Sequence, residues 1–330
     1  MHISDIRSLF HCFDRATSTS RPTVGLDPAR CALVLKLTMA ALLRDPHASI
    51  LGGATCSVPC WQDSAAWVEH SDTLILKADN NTRGKERNAQ ARAKNFAHLC
   101  SGMECVFLRR ADRSKLLNRV LRGIGYHGAS AEIGVWQGAM SLAIMRANPS
   151  MGRHLSVDPW IGHMGGCDKL ADRHCAMVRG KNGALVRKAN NTKFDGMHRN
   201  VVTSLSSYFP RRSLVVRNFS VEASRLVPDS SLDFIYIDGR HDLAGVSEDL
   251  ASWWPKLCRG GLLGGHDWIG NGQAAQALRR WMKSQPFGTT GRPPRVYITA
   301  ENPASYFTFR EPCLTLGRTE GTLRQDHGGG

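Results

Sequence analysis

Apolar positions fall into two periods along this chain, and their alternation predicts the elements. Leu33, Val34, Leu37, Met39, Ala40 and Leu43 mark a helix over 28–43 that stops near Asp45-Pro46. Thr73 to Leu76 reads as a short strand, and a polar helix follows through 83–97. Leu116, Leu117, Val120, Leu121 and Ile124 give a helix over 114–126. From there the pattern becomes regular. Strands at Ala131–Ile133, His154–Asp158, Leu214–Val216, Leu232–Ile237 and Leu262–Gly265 alternate with helical stretches. Those stretches carry Leu142, Ala143 and Met145, then Phe194, Met197, Val201, Leu205 and Tyr208, then Val246, Leu250, Trp253 and Leu257, which Gly260-Gly261 ends. Ala274, Leu278 and Trp281 give one more helix, and Arg295–Thr299 with Ser305–Phe309 a closing pair of strands.

Repeated strand–helix units predict an α/β fold, a doubly wound, mostly parallel sheet of seven strands, with ligands at the strands' carboxyl ends. The expected organisation is a disordered 1–27, a mainly helical extension over 28–110, the sheet domain over 111–312 and a loose tail over 313–330.

The stretch Glu132-Ile133-Gly134-Val135-Trp136-Gln137-Gly138 joins the first of these strands to its helix. Its glycines let the backbone turn tightly and approach a ligand, and the following helix offers free N–H groups. Asp158 closes the next strand, where an acid commonly holds a ribose diol. Further on, Asp238 ends one strand, and His266 and Asp267 end its neighbour. Adjacent strand tips can bring these three together as hard or borderline ligands for a divalent cation. Such an ion would make one oxygen of a bound diol easier to ionise. His241, just beyond Asp238, is a candidate proton acceptor near neutral pH.

These residues resemble class I S-adenosylmethionine-dependent methyltransferases, in the variant with acid-x-Gly-x-x-x-Gly seen in catechol O-methyltransferase and macrocin O-methyltransferase-like enzymes. Trp136 stands where the commoner turn has a glycine, which argues against a dinucleotide-binding dehydrogenase. Ile237-Asp238-Gly239-Arg240-His241, Trp254-Pro255-Lys256-Leu257, Gly265-His266-Asp267-Trp268 and Asn302 to Phe307 extend the likeness over most of 112–310. The resemblance implies that Glu132, Gly134, Val135, Trp136, Gly138 and Ser141 shape the methionine end of the cofactor. Ser141 comes one residue after the usual serine position, which Met140 fills. Ser220, just past the third strand, would meet the adenine. Asp238, His266 and Asp267 would hold magnesium, with His266 where catechol O-methyltransferase carries an acid. Asp238 and His241 would be catalytic, His241 standing in for that enzyme's basic lysine. The implied function is an O-methyltransferase acting on a small hydroxylated molecule.

Charge adds a rival. Net charge is +15, and between Arg153 and Arg217 12 Lys/Arg stand against 4 Asp/Glu. A long basic loop over 161–193 therefore reads either as a lid over the acceptor or as a phosphate track. The second would make the chain an RNA methyltransferase, though the aromatic–basic interleaving of single-strand binders is missing. Weak, non-specific nucleic-acid binding is expected in either case. A non-catalytic module binding cofactor or partner is a third reading, kept open by Met140 and His266. The longest apolar run, Cys31 to Leu43, is interrupted by Lys36 and too short for a bilayer. With no secretory signal in view, a cytoplasmic place is expected, with organellar targeting open through the Ser/Thr-rich stretch after Arg15. The ten cysteines are irregularly spaced and read as reduced thiols rather than as zinc ligands.

Overall fold

A computed structural model of the chain describes residues 51, 56–57, 64–79, 100, 102–108, 113–161, 175–179, 185–189, 191–268, 272–285 and 295–311. The expectations for 1–27, 28–43, 83–97 and 313–330 lie outside these. In chain order come α1 (Ser64–Asp79), β1 (Glu104–Phe107), α2 (Arg113–Ile124), β2 (Ala129–Ile133), α3 (Ala139–Ala147) and β3 (His154–Asp158). They are followed by β4 (Cys175–Arg179), β5 (Leu185–Ala189), α4 (Asn191–Tyr208), β6 (Ser213–Arg217), α5 (Ser220–Ser224) and β7 (Leu232–Ile237). Last are α6 (Leu243–Trp253), a 3-10 turn (Trp254–Lys256), β8 (Leu257–Trp268), α7 (Gln273–Ser284), β9 (Arg295–Ile298) and β10 (Ala304–Phe309).

The main sheet has eight strands in the order β1-β9-β10-β8-β7-β2-β3-β6. Strands β6, β3, β2, β7 and β8 run parallel, and β10 is antiparallel to both β8 and β9. Chain order runs outward from β2 through β3 and β6 on one side and through β7 and β8 on the other, so the crevice for a ligand opens at the β2 and β7 tips. Every residue of β7 is buried, because helices cover both faces. Phe234 and Tyr236 pack with Leu117, Val120 and Leu121 of α2, while Ile235 and Ile237 pack with Val246, Leu250 and Trp253 of α6.

Four expectations change. The eighth strand is β1, which pairs in parallel with β9, so the sheet starts ahead of residue 111. Thr73–Leu76 lies inside α1 rather than in a strand. Ile75 is buried, and Leu74 packs close over Gly123 of α2, so the tertiary contact overrides the local β-propensity. Leu257 opens β8 instead of closing α6, because Pro255 cannot continue a helix. Gly260 and Gly261 then form an irregularity within β8: Leu232 pairs with Leu257 but Phe234 with Leu262. Within the basic loop, β4 and β5 form a separate two-stranded antiparallel ribbon.

The cysteine reading is corrected too. Cys56 is joined to Cys258, and Cys100 to Cys105. The first bridge lies at the amino end of the sheet, away from the strand tips. There Asp233 also accepts the Ser57 and Gly128 backbone N–H groups at 3.0 and 2.8 Å. Among the described residues no helix is long and apolar enough to cross a membrane.

Candidate active site

The turn after β2 is fixed by contacts that only a glycine permits. Gly134 has φ +87°, and a Cβ there would stand 2.2 Å from the Asp238 carbonyl oxygen. Its N–H donates to Val157 O at 2.8 Å, and Asp238 N–H donates to Ile133 O at 2.7 Å. The tips of β2, β3 and β7 are therefore tied through the backbone, and the turn shares a wall with Asp238.

Asp158, expected to hold a ribose diol, bonds the backbone of the turn. Its Oδ2 accepts the N–H groups of Val135 and Trp136 at 3.0 and 2.9 Å, and its Oδ1 accepts that of Trp160 at 2.6 Å. Burial pushes its pKa up, and the backbone donors oppose that shift. The carboxylate thus pins the glycine turn. Trp136, Ile161 and Phe219 are exposed just beyond β2, β3 and β6, an apolar rim on three neighbouring strands. Trp136 meets Phe194 of α4 edge to face, with centroids 6.0 Å apart.

Ser141, expected at the methionine end of the cofactor, turns inward. It is fully buried, is hydrogen-bonded with Glu132 Oε2, and lies 2.8 Å from Ser156 Oγ and 3.1 Å from His154 Nε2. Ser220 is also engaged: its hydroxyl accepts from Trp253 Nε1 at 2.8 Å and also bonds the buried Asp249. Sequence reasoning missed Asp249, whose pKa burial raises to about 6. Gly138 caps α3 in the left-handed region, and Val135 is buried against α4.

At the tips of β7 and β8 the expected residues do come together, as an alternating chain of charges. His241 Nδ1 is 2.8 Å from Asp267 Oδ2, and Asp267 Oδ1 is 3.1 Å from His266 Nδ1. The same His266 nitrogen is 3.3 Å from Asp238 Oδ1, and Asp238 Oδ2 is 3.6 Å from an Arg113 guanidinium nitrogen. Arg113 also donates to the Tyr236 hydroxyl at 3.2 Å, and Glu301 accepts the Arg113 N–H at 3.3 Å. Arg113 heads α2, far from the motifs, and nothing in the sequence marked it. The bridging Asp267 is held well below the usual carboxylate range by the two imidazoles. Burial lowers the His266 pKa, but its bonds to Asp238 and Asp267 outweigh that and lift it to about 9. His241 is raised chiefly by its bond to Asp267.

This arrangement does not fit the expected magnesium. His266 Nδ1 lies between the two carboxylates, while Arg113 faces the remaining Asp238 oxygen. An imidazole and a guanidinium of the chain itself thus stand against the carboxylates that an ion would need. Among the described residues, three donor atoms within 4.8 Å of one another are supplied by Cys56, Asp233 and Cys258, and not by Asp238, His266 and Asp267. The two sulfurs of that other group are joined in a disulfide.

Residues 131–268 match the protein family described as a methyltransferase domain. That span runs from β2 to the end of β8, so it holds the glycine turn and the whole charge chain except Arg113. Among solved structures, the chain is similar to an O-methyltransferase from Bacillus cereus in complex with SAH (12% identity, 74% of this chain and 99% of that one, TM-score 0.41). It is also similar to the O-methyltransferase NovP (15%, 75% and 99%, TM-score 0.41) and to a methyltransferase from Geobacter sulfurreducens (14%, 77% and 98%, TM-score 0.39). No curated protein matches the chain.

Proposed function

We propose that residues 131–268, which match a family described as a methyltransferase domain, form an S-adenosylmethionine-dependent methyltransferase domain, and that the chain methylates a hydroxyl oxygen of a small acceptor at the tips of β7 and β8. The observation that carries this reading is the His241–Asp267 pair, one strand from the glycine turn. Asp267 holds the imidazole by Nδ1, so Nε2 on the half-exposed ring is the atom left to meet an acceptor.

In this reading the acceptor hydroxyl donates to His241 Nε2. As its proton moves to that nitrogen, the oxygen attacks the sulfonium methyl in line with the departing sulfur. The C–S bond breaks, its electron pair stays on sulfur, and a methyl ether and S-adenosylhomocysteine leave. Asp267 stabilises the imidazolium formed, as the acid of a catalytic triad does. Asp238, kept company by His266 and Arg113, accepts a hydrogen bond from a second acceptor hydroxyl and fixes its orientation. The protonated His266 and Arg113 offset the negative charge that develops on the attacking oxygen. No step passes through a metal ion.

Labelled S-adenosylmethionine offered with a panel of phenols, catechols, sugars and RNA tests the proposal. Methyl transfer to a hydroxylated small molecule, strongly reduced in His241→Ala, is the expected result. Transfer to RNA alone would replace this reading with that of a nucleic-acid enzyme.

A further inference from the structure

Behind the glycine turn lies a buried polar cluster that the methyl transfer does not use. Ser130 and Glu132 lie on one face of β2, His154 and Ser156 on the same face of β3, in the register Ser130–His154 and Glu132–Ser156. Ser141 of α3 covers them, and all five are at most 2% exposed. The bonds form a line: Glu132 to Ser141 Oγ, Ser141 Oγ to His154 Nε2 at 3.1 Å, and His154 Nδ1 to Ser130 Oγ at 2.8 Å. Ser130 Oγ also lies 2.9 Å from Met151 Sδ, a pure acceptor. Burying this much polarity is costly unless every proton finds a partner.

The protons can be placed in two complete ways. With Glu132 ionised, Ser141 donates to it and accepts from His154 Nε2–H, and Ser130 donates to His154 Nδ1. With Glu132 protonated, the line reverses: Glu132 donates to Ser141, Ser141 to His154 Nε2, His154 Nδ1–H to Ser130, and Ser130 to Met151 Sδ. Ser156 donates to Ser141 in either case. The sulfur at the far end is what makes the second arrangement complete.

We infer that His154 is a positioning residue whose tautomer follows the ionisation of Glu132, and that binding the cofactor's ammonium group expels one proton from Glu132 and reverses the line. The cofactor half of this inference rests on the function proposed above. Burial holds the His154 imidazole neutral, near a pKa of about 3, with Arg212 adding to that, so the ring carries one proton and must place it on one nitrogen. Burial also lifts Glu132 to about 8 against the Ser141 bond. The charged groups facing it are Asp238 at the β7 tip and Asp158 at the β3 tip, which raise it, and Arg113 of α2, which lowers it. Near neutral pH the free protein therefore keeps the proton on Glu132, and an arriving cation displaces it.

The test is calorimetry of the full chain with S-adenosylhomocysteine, which keeps the ammonium, in phosphate and in Tris. Close to one proton should be released per ligand bound at pH 7, and affinity should rise about tenfold from pH 6 to pH 7. Glu132→Gln should bind more weakly and release none. Nitrogen-15 spectra, with the His154 signals identified through His154→Asn, should show the proton on Nδ1 in the free protein and on Nε2 in the complex. Raising the pH of the free protein through 8 should produce the same change without any ligand. Binding without proton release, or one unchanged tautomer in all states, overturns the inference. Absence of binding at millimolar ligand would sink the cofactor half together with the functional reading, while the pH-driven change in the free protein would still decide the His154–Glu132 coupling.

Discussion

His241 Nδ1 and Asp267 Oδ2 lie 2.8 Å apart, joining the loop after β7 to the end of β8. Asp267 reaches this position from a left-handed backbone, φ 59°, unusual for a residue other than glycine. His241→Ala is expected to lower kcat by about 10²–10⁴, the range for a general base. Because Asp267 raises the His241 pKa above its ordinary 6.5, kcat should climb with pH through a midpoint above that value. Asp267→Asn should move the midpoint back down and lower kcat as well. A pH profile unchanged by Asp267→Asn would remove His241 from the role of base.

Metal dependence separates this site from its expected magnesium centre. With His266 and Arg113 already neutralising Asp238 and Asp267, turnover should persist in excess chelator. Added magnesium should change it less than twofold. Activity that vanishes with chelator and returns with magnesium would reverse this conclusion.

Gly134 should be intolerant of any side chain. Gly134→Ala places a Cβ 2.2 Å from Asp238 O at φ +87°. The expected cost is about 1–3 kcal/mol for overpacking, with about 1–2 kcal/mol more for the left-handed backbone. Cofactor binding should be lost with it. Gly196→Ala, in α4 with the Arg199 guanidinium at an ordinary 4.0 Å from the added carbon, should instead stabilise by about 0.5–1 kcal/mol. Thermal unfolding of both variants checks the contrast.

Stability should fall on the alkaline side of neutrality. His266 has a folded pKa of about 9, above its ordinary 6.5, so its contribution is full below 6.5 and is lost as pH rises through 9. Glu132, raised from 4.5 to about 8, has the same sign, its contribution fading from 4.5 up to 8. Each proton held only by the folded state makes stability fall by about 1.4 kcal/mol per pH unit within its window. Melting curves between pH 6.5 and 9 should show this decline, shallower in Glu132→Gln and in His266→Gln.

The basic ribbon offers a test of partner. Arg179 ends β4, and Arg187 and Lys188 lie on β5. Replacing these three by Gln should raise the acceptor's KM if the ribbon borders a small acceptor. If it tracks phosphates, RNA affinity should drop steeply with salt, at a log–log slope of roughly −0.7 per phosphate, and flatten in the variant. The +8 surplus across 153–217 predicts weak, salt-sensitive RNA binding without methyl transfer.

The sequence by itself determined the strand–turn–helix–strand unit from β2 to β3, the parallel sheet around it, and the meeting of Asp238, His266, Asp267 and His241. Those features are local: residue periodicity records which face is buried, and a strand's last residue must lie at the crevice once the sheet is parallel. Tertiary structure alone decided the partners. Asp158 is spent on three backbone N–H groups because the turn folds over its carboxylate. Ser141 faces Glu132 because the α3 helix sets it over the β2–β3 pair. Arg113 and Glu301 enter the site from elements at opposite ends of the domain. Thr73–Leu76 is helical because α1 has α2 to pack on. Each of these depends on distances across the fold between residues far apart in sequence or turned by backbone geometry, and periodicity carries no record of such distances.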